Sequence, residues 1–165
     1  SKEFTGKAFH DLPPELKTNK DFLLSILKRN HMVMCFFSED LQTDREFALK
    51  AVCLNPFVFE CLPDQLQTDK SFGVDAVLAN EKLFQYIPEK FQIDPTFFSG
   101  LDERFGDHIF FDLLENNPQI FQYLPDNFKK EKTLVRNSLK INRSIIDYLD
   151  PDILEELYPD FPEKI

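Results

Sequence analysis

The 165-residue chain has no tryptophan, four glycines, two methionines and three cysteines, and each shortage removes a class of protein. With so few glycines, neither GxxxxGK[ST] nor GxGxxG occurs, so there is no glycine loop to cradle a phosphate. Eleven prolines point instead to short helices that meet at fixed corners. Three cysteines cannot all pair and form no CxxC. That argues against a disulfide scaffold and for a reducing compartment. No apolar run approaches the roughly 18 residues of a membrane span, and no charged-then-apolar leader opens the sequence, so no signal peptide is expected. Basic residues are also scarce, 19 against 29 acidic, giving a net charge of −10 and a pI near 4.7. Phosphate backbones and anionic lipids both need the opposite balance, so neither nucleic acid nor membrane is an expected partner.

What is abundant is phenylalanine, with 19 copies, and internal order. FSEDLQTDREFALKAVCLNPFVFEC from Phe37 is followed without a gap by LPDQLQTDKSFGVDAVLANEKLFQY from Leu62, the two matching position for position. A fixed period of about 25 residues is the mark of a stacked repeat protein. Counting outward places repeats at 12–36, 37–61, 62–86, 87–123 and 124–148, with partial caps at 1–11 and 149–165. The fourth repeat carries an insertion of about 12 residues, a common departure in repeat proteins. With that insertion allowed, Asn30, Asn55, Asn80, Asn117 and Asn142 share one column.

The columns predict two helices and a turn per repeat. Thr43-x-x-Glu46 and Thr18-x-x-Asp21 resemble capping boxes that open a first helix. Phe47, Leu49, Ala51 and Val52 continue it with helical spacing. The shared Asn closes this helix in a left-handed conformation or caps the next one, where Pro56 and Pro118 take the favoured first position. A shorter second helix carries Val58, Phe59 and Cys61, and Pro63, Pro88 or Pro125 turns the corner. Helices near ten residues are marginal alone in water, so their stability must come from stacking. The expected fold is an all-α solenoid of about five two-helix repeats in a single domain. At its ends, Phe9 falls in the column of Phe59, and Ile153, Leu154 and Leu157 begin a shortened last unit. Acidic Asp150, Asp152, Glu155, Glu156, Asp160 and Glu163 suit a polar cap.

The core TDREFALKAVCLNPFVFE and its neighbour TDKSFGVDAVLAN resemble a family of tandem helical repeats with a DKEFVLEAVKxN-like core, known only as a domain of unknown function. The likeness covers Leu12 to Tyr86, and Ile87 to Tyr148 once the insertion is set aside. Lys130-Glu131 departs from it where the cap would be Thr-Asp. The family brings no catalytic residues. The resemblance implies a secreted effector fragment working in the cytoplasm of a host cell.

No residue set carries a recognisable reaction: HExxH is absent, and His10, His31 and His108 fall in different columns. No catalytic residue, metal ligand or cofactor is therefore expected. Cys61 shares a column with Phe36 and Tyr86 and reads as core, while Cys53 and Cys35 share columns with charged residues and read as exposed, inert thiols. Function is expected in binding a protein partner. An arm that positions substrate for a catalytic part elsewhere is the alternative, and a plain spacer is a third possibility. Met32 and Phe57 share a column with Lys82, Gln119 and Ser144, so they form either an exposed apolar patch or a contact with a neighbouring repeat. The insertion, with Phe97, Phe98, Leu101 and Phe105, is either an extra turn or a binding ledge carried by Phe98 and Phe105. Lys132, Arg136 and Lys140 lie four apart on one helix face of a repeat that is +3 overall. They can meet an acidic partner or pair with the acidic tail.

Overall fold

In the computed structural model, which describes residues 2–159 with side chains from residue 6, the fold is all-α and no strand occurs among the described residues. Asp160 and Glu163 of the acidic tail lie outside them. The chain divides into two compact units, Ser1–Phe91 and Gln92–Ile165.

Within the first unit the order is α1 (Lys2–His10), α2 (Pro14–Thr18), α3 (Lys20–Leu27), η1 (His31–Phe36), α4 (Glu39–Thr43), α5 (Arg45–Leu54), η2 (Pro56–Cys61), α6 (Asp64–Gln67), α7 (Lys70–Ala79), η3 (Glu81–Tyr86) and α8 (Glu89–Gln92). The η elements are 3-10 helices, so the repeat has three helical pieces where two were expected. The corner after each proline winds into a short α-helix, and the second helix is a six-residue 3-10 segment. Six residues held between an Asn cap and a proline corner suit this tighter winding, which is stable only in short pieces.

The first helix also begins differently from the expected capping box. Asp44 is the N-cap of α5 and accepts from the Phe47 amide at 3.0 Å, while Thr43 donates its hydroxyl back to Glu39 O at 2.8 Å. Thr68 repeats this bond to Asp64 O at 2.7 Å, and Asp69 caps α7 through the Ser71 amide at 2.8 Å. The threonine thus ends one helix and the aspartate opens the next. The shared Asn sits at φ −147 and ψ 102 in Asn55, an extended rather than left-handed conformation. Its oxygen accepts from the Phe57 amide at 3.2 Å, and its Nδ2 donates to Leu27 O of the preceding repeat at 2.9 Å. One side chain therefore caps forward and clamps backward.

Ion pairs add a second ladder between repeats. Lys20, the first residue of α3, reaches the α5 cap Asp44 at 2.6 Å. Arg45, the first residue of α5, bonds the α7 cap Asp69 and reaches Asp75 at 2.6 Å, with its guanidinium 5.5 Å from the Phe72 ring centre. The hydrogen bond from Lys20 holds the Asp44 carboxyl below its usual value. Beneath this ladder lies the core: Phe47, Ala51, Val52, Val58, Phe59, Phe72, Val77, Leu83 and Phe84 are all buried. These columns are ones whose apolar spacing marked them in the sequence, but Leu49, marked with them, is only half-buried and turns away from this core.

Within the second unit the order is α9 (Pro95–Phe105), α10 (His108–Asn116), η4 (Pro118–Tyr123), α11 (Asp126–Lys130), α12 (Lys132–Ile141), η5 (Arg143–Tyr148) and α13 (Pro151–Leu157). The insertion is a whole helix rather than an extra turn. Asp94 caps α9 through the Thr96 amide at 2.9 Å, as its counterparts do, but no 3-10 segment follows. The chain turns instead at Gly106, with φ 72 and ψ −171, into α10. Nothing stands within 4 Å of a Cβ placed there, so only the backbone conformation resists a side chain. Because that region is close to glycine-only, Gly106→Ala is expected to cost about 1–3 kcal/mol. Urea denaturation monitored by circular dichroism checks it.

Glu131, the apparent departure from the Thr-Asp cap, accepts from the Leu134 amide at 2.6 Å and keeps the capping role. Asn142 reproduces Asn55, accepting from the Ser144 amide at 3.0 Å and donating to Glu115 O at 3.0 Å and Leu114 O at 3.3 Å. Asn117 does not. It caps nothing, and its Nδ2 bonds Leu113 O of its own helix at 3.0 Å.

Candidate partner-binding surfaces

The 3-10 helices bring one sequence-marked residue into an aromatic row. Phe57, at the second position of η2, is 49 % exposed. Its ring lies 5.6 Å from His31 of η1 and 5.4 Å, edge-on, from Tyr86 of η3. Both readings of Phe57 hold in part: it touches each neighbouring repeat and still shows half its surface. Met32, its column partner, is half-buried. His31 and Tyr86 carry no sequence signal because each belongs to a different column from Phe57, and only the stacking of successive repeats aligns the three.

The long helices carry a second apolar surface that sequence reasoning misses. Leu24 of α3, Leu49, Cys53 and Leu54 of α5 and Ala79 of α7 line a shallow depression of about 460 Å³, edged by Lys50. Leu54 is largely exposed there. Cys53 is half-buried rather than exposed, and burial pushes its thiol up, which keeps the nucleophilic thiolate scarce. Cys35 is exposed as expected, but Cys61 is only half-buried, at the edge of the core. Leucines at 24 and 49, six before the shared Asn, were the available signal, because such positions face away from the Phe47 column.

In the second unit the insertion separates into two unlike phenylalanines. Phe98 is fully buried, packed against Phe97 at 5.8 Å and Phe110 at 6.4 Å, so it is core and not part of a ledge. The insertion has no counterpart repeat to reveal which of its faces turns inward. Phe105 is 59 % exposed at the end of α9 and remains a surface residue.

Lys132, Arg136 and Lys140 are all exposed along α12. Lys132 pairs with Glu156 of α13 at 2.7 Å, so the acidic tail takes one end of the stripe. Among the described residues no ion pair reaches Arg136 or Lys140. Elsewhere in the unit, burial and the nearby Asp102 carboxylate raise the half-buried Asp107, partly offset by His108 beside it. Among the described residues no group of three or more His, Cys, Asp or Glu could hold a metal ion, and no helix is long and apolar enough to cross a membrane.

The model of a protein family described as Domain of unknown function (DUF4116) matches residues 44–96 and 108–154, well over half of the chain. The gap between the two matches, residues 97–107, takes in α9 from Phe97 onward and the Gly106 turn. No curated protein and no solved structure matches the chain.

Proposed function

We propose that this chain, which belongs to the family described as Domain of unknown function (DUF4116), is a non-catalytic protein-binding module that displays side chains from its exposed repeat columns. The observation that carries this reading is the row His31–Phe57–Tyr86. Three successive repeats hold a half-exposed phenylalanine between two rings, in a column that is Met32 in the preceding repeat and Lys82, Gln119 and Ser144 in the later ones. Aromatic side chains held in place by their neighbours lose little entropy on binding, which is why they anchor protein interfaces. Met32 and the Leu49–Leu54 depression extend the apolar surface of that unit, and Phe105 and the α12 cations offer contacts on the other. Three free cysteines suit action in a reducing compartment, such as the host-cell cytoplasm that the sequence resemblance implies.

Affinity capture from a eukaryotic lysate tests the reading, comparing the wild type with Phe57→Asp. Circular dichroism confirms that the variant stays helical. The expected result is a discrete protein retained by the wild type and lost by the variant. Capture of nothing, or of the same proteins by both, overturns the proposal.

A further inference from the structure

The outer face of α12 differs in chemistry from the same face of the first unit. Counting back from the shared Asn, position six holds Leu24, Leu49 and Val74 in the first unit and Phe111 and then Arg136 in the second, so Arg136 is the one cation in the column. Position two holds Lys28, Cys53 and Leu78 in the first unit and Glu115 and Lys140 in the second. Where Leu49 and Cys53 of α5 line an apolar depression, the same two positions of α12 are Arg136 and Lys140, and with Lys132 they form a basic stripe. Beside the stripe, Ile141 is largely exposed, so an apolar contact accompanies the charges.

Among the described residues, the charged groups around this face leave Arg136 and Lys140 without an ion pair. From α11, Lys129 and Lys130 are both engaged by Asp126 at 3.1 Å. From α10, the equivalent positions are Phe111 and Glu115, and Glu115 makes no ion pair with α12 among the described residues. From α13, Glu156 sits on Lys132. That last pair shows the chemistry the stripe accepts, a carboxylate presented from a neighbouring helix.

We infer that the α12 face is a docking site for an acidic segment of a partner protein, seated on Arg136, Lys140 and Ile141, with Glu156 as an internal competitor at the Lys132 end. The inference rests on the reading of the chain as a binding module but concerns a different face from Phe57. Charge complementarity selects the occupant: the stripe already takes a carboxylate from a helix at its Lys132 end, and a partner segment that presents carboxylates at helical spacing fits the remaining cations. Paired opposite charges of this kind speed encounter and fix register.

Fluorescence anisotropy with a fluorescein-labelled, twelve-residue Glu- and Leu-containing peptide is the test, with a single-stranded oligonucleotide of equal charge as the comparison probe. Peptide binding is expected to weaken about tenfold in Arg136→Glu/Lys140→Glu and to fall similarly as salt rises from about 0.05 to 0.3 M. Glu156→Gln, which frees Lys132, is expected to tighten binding about twofold. Arg136→Gln/Lys140→Gln repeats the measurement in a milder variant should the charge reversal unfold the helix. No binding by the wild type, equal binding by the variants, or tighter binding of the oligonucleotide overturns the inference. Phe57→Asp should bind the peptide as the wild type does. Lysate capture that depends on Phe57 without peptide binding by the wild type therefore marks failure of this site alone, whereas peptide binding without any lysate capture marks failure of the reading at Phe57.

Discussion

Asn55→Ala is expected to lower stability by about 2 kcal/mol, the combined loss of a helix cap and a half-buried hydrogen bond at about 1 kcal/mol each. Asn117→Ala should cost well under half as much, although the two residues share a column. The difference follows from what each side chain holds. Asn55 accepts from the Phe57 amide and donates across to Leu27 O, so its removal breaks both bonds. Asn117 bonds only Leu113 O of its own helix and caps nothing. Asn142 holds both roles and should behave like Asn55. Urea denaturation with a fixed slope resolves differences of this size. Equal losses at 55 and 117 would show that the side chain matters for a reason other than the forward cap and backward clamp.

Phe98→Ala carries the largest single effect expected, a loss of about 3–5 kcal/mol. Phe98 is fully buried, ringed by Phe97 and Phe110, so the truncation opens a cavity that fixed neighbours cannot fill. Phe105→Ala, further along the same helix, should fall within about 0.5 kcal/mol of the wild type, the range of ordinary surface changes. Phe105 is exposed at the end of α9. Thermal melts of the two variants beside the wild type give the contrast directly. A small loss for Phe98→Ala would mean that α9 is not packed as a core helix.

The contrast between these phenylalanines also marks where sequence stops being informative. Phe47, Phe72, Val58 and Leu83 can be placed in the core from their columns alone, because a period averages over copies. The insertion occurs once, so nothing distinguishes Phe98 from Phe105 except three-dimensional packing. The 3-10 winding of η1 to η5 is hidden for a different reason. Over six residues, spacings of 3.0 and 3.6 place the same apolar side chains inward. The threonine reads as the cap because Thr and Asp stand side by side, and only the hydrogen bonds show that Asp44 opens α5 while Thr43 closes α4.

Contacts between repeats are the least legible part. Lys20 and Asp44 stand nearly one repeat apart, as do Arg45 and Asp69, and their signature is the basic residue that follows the caps Asn19, Asp44 and Asp69. Taken singly, the charges read as solvated helix starts. Stacked, the first residue of one long helix meets the cap of the next. The aromatic row follows the same logic, since His31, Phe57 and Tyr86 come from three different columns and meet only across neighbouring 3-10 helices. Fixed columns hold the stack together, and the varied exposed columns are free to carry function.

Amide hydrogen exchange by NMR at the second residue of each 3-10 helix tests the asparagine clamp most directly. The amides of Met32, Phe57, Lys82 and Ser144 donate to the Asn two positions earlier at 3.0–3.2 Å, whereas Gln119 follows an Asn that caps nothing. Protection at the first four and fast exchange at Gln119 is the expected pattern. Protection at Gln119 equal to the rest, or fast exchange at all five, would contradict the asparagine as the element that defines each repeat.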